Sequence, residues 1–271
     1  MHRIAIFQMT SGIDPTANAR AIVAAIGSAE MGGASMLFTP EMSGMLDQKR
    51  KRAAESIALE SDDHVLAEVR DAAARAGIWV ALGSLAIKRE DGRWANRSFV
   101  IDSSGEIAAR YDKIHMFDVD LDTGESWRES NAYEAGETVV TVETPVGRLG
   151  LSVCYDIRFP ALFEALGRAR CDLIAIPAAF TVPTGKAHWH LMQRARAVEA
   201  SAYVVAAAQA GTHEDGRNTY GHSLLVDPWG DILLDMGGEE AGVGFAEIDP
   251  ARIAAVRKQL PSLANRRNIT I

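Results

Sequence analysis

The sequence predicts an α/β fold in which two sheets are layered with helices, and three observations carry that prediction. Apolar runs of strand length alternate with helical patterns through the first two thirds of the chain. Paired runs flank the short turns Asp102-Ser103-Ser104-Gly105 and Pro145-Val146-Gly147. Such hairpins fit two covered sheets better than one doubly wound sheet. Finally, 271 residues, 48% hydrophobic and 24% charged, suffice to bury a large core.

A first strand is expected over 4–9, and Asp14-Pro15 then opens a helix through 29, with proline suited to an early helical position. A strand over 35–39 is ended by Pro40. A helix over 62–76 leads through Gly77 into a strand over 78–86, and strands over 98–101 and 107–111 flank the first turn. After a loop-like stretch, 118–136, strands over 138–143 and 148–153 flank the second turn. A helix over 160–169, a strand over 172–176 and a helix over 187–200 follow. Strands over 203–209, 223–226, 232–235 and 243–248 precede a last helix, 250–259, and the basic tail LANRRNITI. No linker or composition break divides the chain, so one domain over 1–271 is expected.

The formal charge of −8 is spread along the chain, which argues against a nucleic-acid partner. The N-terminal apolar run is short and no stretch of 18 apolar residues occurs, so neither a signal peptide nor a membrane span is expected. The only cysteines are Cys154 and Cys171; a disulfide framework is not expected, and a cytoplasmic location is.

Three reactive side chains fall immediately after strand-like runs: Glu41 after SMLFTP, Lys113 after IAARYD and Cys154 after RLGLSV. Strand ends are where sheet-based folds place reactive groups. A nucleophilic thiol needs a base for its proton and a positive donor for the oxyanion it creates. Glutamate and lysine supply both. Taken singly, each has a plainer reading, as a loop acid, a surface cation and a small buried hydrophobe.

Other motifs carry less. His188-Trp189-His190 could suggest a metal site with His213 or His222, but i, i+2 spacing on a helix turns the two rings to different sides, so packing is the better reading. No dinucleotide fingerprint, complete P-loop or serine elbow occurs. Arg194 and Arg196 precede Glu199 on the same expected helix and read as structural, in ion pairs with Glu199 or across an interface. Cys171 reads as a core residue.

FTPEMSG, YDKIHMFDVD and LSVCYDIRFP resemble the three signature segments of the nitrilase superfamily of carbon–nitrogen hydrolases. The resemblance continues through PTGKAHWHLMQRARAVEA and TYGHSLLVDPWGD to LPSLANRRN, nearly the whole chain. It implies a four-layer α-β-β-α sandwich, a Glu41–Lys113–Cys154 triad and no metal or cofactor. Glu129 matches a supporting glutamate, with Glu125 and Glu134 as neighbouring alternatives. The Tyr155 backbone N–H is expected to join Lys113 as an oxyanion donor. Arg158 would either meet a substrate carboxylate or lock its loop through an ion pair, and Phe180, Thr181 and Thr184 could line the pocket.

The flanking segments resemble the Nit-type ω-amidase branch. That implies hydrolysis of the terminal amide of a small α-keto acid such as deaminated glutathione, releasing ammonia through a thioester. The alternatives are 2-oxoglutaramate or 2-oxosuccinamate, then a nitrile or an N-carbamoyl compound, and, in another class, a non-catalytic binding or scaffold protein on the same fold. A homo-oligomer, at least a dimer paired through helices, is also implied, with the tail over 260–271 at the subunit interface.

Overall fold

The structure, a computed structural model, describes residues 1–122, 124 and 126–267. The first part of the chain forms β1 (His2–Gln8), α1 (Pro15–Met31), β2 (Met36–Phe38), α2 (Arg50–Ser56), α3 (His64–Ala76), β3 (Trp79–Lys88), β4 (Trp94–Ile101) and β5 (Ile107–Asp112). A small hairpin of β6 (Asp118–Asp120) and β7 (Ser126–Arg128) precedes β8 (Thr141–Thr144), β9 (Gly147–Leu151), α4 (Pro160–Arg168), β10 (Leu173–Ala175), α5 (Val182–Ala200) and β11 (Tyr203–Ala206). A second hairpin, β12 (Ala210–Thr212) and β13 (Asn218–Tyr220), is followed by β14 (Leu224–Val226), β15 (Ile232–Asp235), β16 (Gly242–Ile248) and α6 (Pro250–Gln259).

Two six-stranded sheets result, ordered β16-β1-β2-β3-β4-β5 and β15-β14-β11-β10-β9-β8. Strands β1, β2 and β3 are parallel in the first, and β9, β10 and β11 in the second. Side-chain alternation shows the layering. On β1, Ile4 and Ile6 join the core shared with the second sheet, whereas Ala5 and Phe7 join the core beneath α1 and α3. Leu162 and Phe163 of α4 and Trp189 and Ala197 of α5 cover the second sheet. The order is helices, sheet, sheet, helices: an α/β sandwich, as expected.

Local chemistry explains most boundaries. The Asp14 carboxylate accepts from the Thr16 N–H (2.9 Å) ahead of Pro15, and Asp63 accepts from the Leu66 N–H (2.8 Å) to start α3. Gly77, at φ +63°, ends α3 in the left-handed conformation. Helix α5 opens at Val182, earlier than expected, because Pro183 fits the first turn, where its missing N–H costs nothing. The stretch read as a loop, 118–136, holds the short hairpin β6–β7, and α2 and β12–β13 are likewise additional. Among the described residues no helix is long and apolar enough to cross a membrane.

The tail folds back on its own subunit: Arg266 Nη1 donates to the Glu164 carbonyl (3.2 Å) on α4, and Ser262 Oγ lies 3.5 Å from Ser201 Oγ. Residues 268–271 of the expected interface segment lie outside the described residues.

Candidate active site

Glu41 follows β2 on a turn clamped against β3. The Thr39 N–H donates to the Ala81 carbonyl (3.0 Å), Thr39 Oγ1 accepts from the Gly83 N–H (2.9 Å), and the Met42 N–H donates to Ser84 Oγ (2.9 Å). The approach is so close that a Cβ on Gly83 would lie 2.0 Å from the Thr39 carbonyl oxygen. The Glu41 carboxylate, 5% exposed as a residue, is fully engaged. Oε1 accepts from Asn96 Nδ2 (2.9 Å) and Lys113 Nζ (3.1 Å), and Oε2 accepts from the Ala179 N–H (2.9 Å).

Lys113 leaves β5 with its N–H donating to the Asn96 carbonyl (2.9 Å). Its buried ammonium also bonds Glu129 Oε2 at 2.7 Å. Glu129 is fixed in turn by the Phe117 N–H (2.7 Å) and by Asn96 Nδ2 (3.0 Å). The Asn96 amide is therefore shared between the two glutamates. Of the neighbouring acids, Glu134 pairs outward with Arg93 (2.7 Å), and Glu125 lies outside the described residues.

Cys154 begins a single 3-10 turn after β9, with φ +48° and its N–H donating to the Pro177 carbonyl (2.8 Å). A left-handed backbone costs a non-glycine residue about 1 kcal/mol or more and needs outside support. Asp156 provides it. Fully buried, it accepts from the Val153 N–H (2.9 Å), Tyr111 hydroxyl (2.7 Å) and His115 N–H (3.0 Å), with His115 Nδ1 at 2.7 Å. Tyr111 and His115 bracket Lys113 in sequence, so one carboxylate ties the lysine segment to the cysteine turn.

The Cys154 thiol and the Glu41 carboxylate share one cavity and act on each other's ionisation, and the charges set the resting protonation. Burial pushes the Glu41 carboxyl up, but the Lys113 ammonium, the thiol and the Ala179 N–H outweigh it and hold the group below its ordinary range. Burial opposes the Lys113 charge, yet Glu129 and Glu41 raise its pKa well above normal. Burial and the Glu41 charge raise the Cys154 pKa well above that of an ordinary thiol, against the pull of Lys113. At neutral pH the cluster therefore holds a carboxylate, an ammonium and a protonated thiol.

All four side chains open onto a cavity of about 240 Å³. Phe180, Thr181 and Thr184 line it, where the sequence placed them, together with Tyr155 and with Trp94, Phe117, Trp127 and Tyr133 as further walls. Arg158 does not. Its guanidinium lies over the rings of Tyr155 (5.8 Å) and Phe180 (5.4 Å), with Nη1 3.3 Å from His188 Nδ1. Among the described residues Arg158 neither lines the cavity nor pairs with an acid, unlike either expectation, and it supports two wall residues by stacking.

Beside Asp47, Arg50 and Arg128, the charged wall includes Arg217, from the turn between β12 and β13. It pairs with Asp215 (3.1 Å), packs over Trp127 (5.0 Å) and, among the described residues, keeps a buried Nε without a partner. Neither Arg217 nor Asn96 was singled out by sequence reasoning, because nothing local marks a polar residue that reaches the site from a hairpin.

Other sequence features fall elsewhere. His213 is buried, with Nδ1 2.9 Å from the Ser11 carbonyl and Nε2 2.7 Å from Thr219 Oγ1. Arg196 pairs with Glu199 (2.7 Å) as expected, whereas Arg194 donates to the Gly230 carbonyl (2.7 Å). Cys171 is free and buried. His188 and His190 do diverge, but His190 meets His222 and Asp235, a grouping that the i, i+2 argument did not reach.

A thiol beside a carboxylate that also grips an ammonium is an arrangement suited to acyl transfer through sulfur, and the comparisons agree with that class. The family description "Carbon-nitrogen hydrolase" matches residues 3–258; the chain belongs to this family. It is 38% identical over 270 residues to a protein from Yersinia enterocolitica named deaminated glutathione amidase, covering 98% of this chain and 93% of that one. A Synechocystis protein of the same name is 37% identical, with 97% of each covered. The crystal structure of the Caenorhabditis elegans NitFhit protein superposes with a TM-score of 0.90 at 37% identity, covering 98% of this chain and 65% of that one. Saccharomyces cerevisiae Nit3, of the nitrilase superfamily, gives 0.86 at 26%, covering 96% and 94%.

Proposed function

We propose that this protein is an amidase with a Glu41–Lys113–Cys154 triad that hydrolyses the ω-amide of a small α-keto acid, with deaminated glutathione as the preferred substrate. The observation that carries the reading is the Glu41 carboxylate, which grips the Lys113 ammonium (3.1 Å) and opens with the Cys154 thiol onto one cavity.

Cys154 Sγ attacks the amide carbon as its proton passes to Glu41. The oxyanion is held by Lys113 and the Tyr155 backbone N–H. Glu41 returns the proton to the departing nitrogen as the C–N bond breaks, leaving an acyl thioester. It then takes a proton from water, which attacks the thioester; the C–S bond breaks and the thiol is restored. Glu129 holds Lys113 charged throughout and acts as a positioning residue.

The bond cleaved fixes the leaving group. Primary ω-amides such as 2-oxoglutaramate release ammonia, as the sequence reading expected. In deaminated glutathione the same 2-oxoglutaryl group is bonded to a dipeptide amine, so cysteinylglycine departs instead. An acyl group bearing a carboxylate suits Arg217, whose buried Nε has no partner among the described residues.

The test is 2-oxoglutarate formation from deaminated glutathione and 2-oxoglutaramate, beside 2-oxosuccinamate, a neutral amide, a nitrile and an N-carbamoyl compound. The highest kcat/KM is expected for deaminated glutathione. Turnover of none would support a binding role.

We also propose a homodimer paired through α5. Leu191 and Val198 are exposed one heptad apart, and Gly230, beside exposed Trp229, lies next to Val198. A monomer in light scattering at micromolar concentration would contradict the pairing.

A further inference from the structure

We propose that His190, His222 and Asp235 form a binding site for a divalent transition-metal ion of the zinc class. Their ligand atoms all lie within 4.8 Å of one another. His190 Nε2 is 3.0 Å from Asp235 Oδ2, and His222 Nδ1 is 2.9 Å from Oδ1 and 3.2 Å from Oδ2. A tetrahedral zinc ion with bonds of about 2.0–2.1 Å separates its ligand atoms by roughly 3.3 Å. Two edges of such a site are therefore nearly set, and small rotations of partly exposed side chains close the third.

The three groups come from different elements and are oriented before any ion arrives. His190 projects from α5, and its neighbour Trp189 donates through its indole Nε1 to the His222 carbonyl (2.8 Å), tying the helix to the His222 segment. His222 is held at φ +54°, a conformation unusual for a non-glycine residue. Its ring stacks on Tyr220 (centroids 4.5 Å apart), and the His190 ring meets both edge-on. Asp235, at the end of edge strand β15, also accepts from the Gly237 N–H (2.9 Å).

Two imidazoles and one carboxylate suit zinc and its transition-metal neighbours, and are a poor set for calcium or magnesium, which prefer oxygen. The side chains remain 26–34% exposed, leaving an entry path and room for a water as fourth ligand. None of the three lines the cavity at Cys154, so the ion would not take part in the amide chemistry. Its effect would be mechanical. It would fasten α5, whose first turn carries the cavity residue Thr184, to the edge of the second sheet. The proposal does not depend on the amidase reading.

The test uses the full chain, treated with chelator, in a Cys154→Ala background so that the thiol cannot report zinc. Isothermal titration with ZnCl2 and thermal melts should give one zinc per chain, a Kd below about 10 μM and a Tm several degrees higher with zinc. His190→Ala, which places a strong helix former at an accessible helix position, should weaken binding at least about tenfold and remove the Tm rise. Cobalt(II) should give visible absorption bands that the same variant loses. No saturable binding, or binding equally tight in His190→Ala, would overturn the proposal and leave two imidazoles hydrogen-bonded to a carboxylate.

Discussion

Lys113 lies 2.7 Å from Glu129 and 3.1 Å from Glu41, so the glutamate outside the proposed proton path makes the shorter ion pair. That arrangement divides one positive charge between two carboxylates. If Glu129 were neutral, Lys113 would turn wholly to Glu41 and reduce its basicity. Glu129→Gln should therefore lower kcat about tenfold to a hundredfold with little change in KM, and Glu129→Asp should recover part of the loss. A changed KM at constant kcat would assign Glu129 to substrate binding.

The pH profile follows from the shifted groups. Glu41 lies below its ordinary 4.5, so its stabilising charge is present above that value and is lost as pH falls through its depressed pKa. Lys113 is raised above 10.5 and Cys154 above 9.0, so their contributions are full below those ordinary values and decline as pH rises. Accordingly kcat/KM should be flat between 4.5 and 9.0, with limbs that belong to the cluster as a whole. An ascending limb near the ordinary thiol value would mean that thiolate forms without Glu41.

Arg217 should act on the substrate's carboxylate. Losing a charge-assisted hydrogen bond of about 1.5–3 kcal/mol predicts that Arg217→Met lowers kcat/KM roughly 10- to 100-fold, mostly through KM, for α-keto-acid amides. A neutral amide should change by less than about threefold. Equal losses on both would give Arg217 a structural role, through Asp215 and Trp127.

Asp156 joins the lysine segment to the cysteine turn with buried donors from Val153, Tyr111 and His115. Asp156→Ala strands them. The expected cost is about 3 kcal/mol, or roughly 6–12 °C in Tm, with kcat falling as Cys154 loses its strained backbone. A melt within a degree or so of wild type would show that the turn holds without it.

Gly83 presses on the Glu41 turn. Gly83→Ala would displace the Thr39 and Pro40 carbonyls and carry Glu41 with them. A shift approaching 1 Å predicts a loss of about 10²-fold in kcat in a protein that still folds. Full activity would show that the turn can yield without moving the carboxylate.

Much of this site could be read along the chain because each proposed triad member follows a strand and carries its own local pattern. The layers were legible for the same reason: alternation on β1 and β2 places successive residues in different cores. What escaped is long-range. Asn96 meets Glu41 across 55 positions and His190 meets Asp235 across 45, and neither pairing leaves a periodic trace. Arg158 misled because its place beside the cysteine said nothing of the aromatic rings it would stack on. Helix α5 began early because Val182-Pro183 is compatible with both a loop and a helical first turn.

The central claim is that Cys154 is the nucleophile. The most direct measurement is 2-oxoglutarate release from deaminated glutathione by the wild type and by Cys154→Ala, with melting curves showing that both are folded. The account predicts a fall of about 10³-fold or more in kcat. Hydrolysis by Cys154→Ala at the wild-type rate would contradict it.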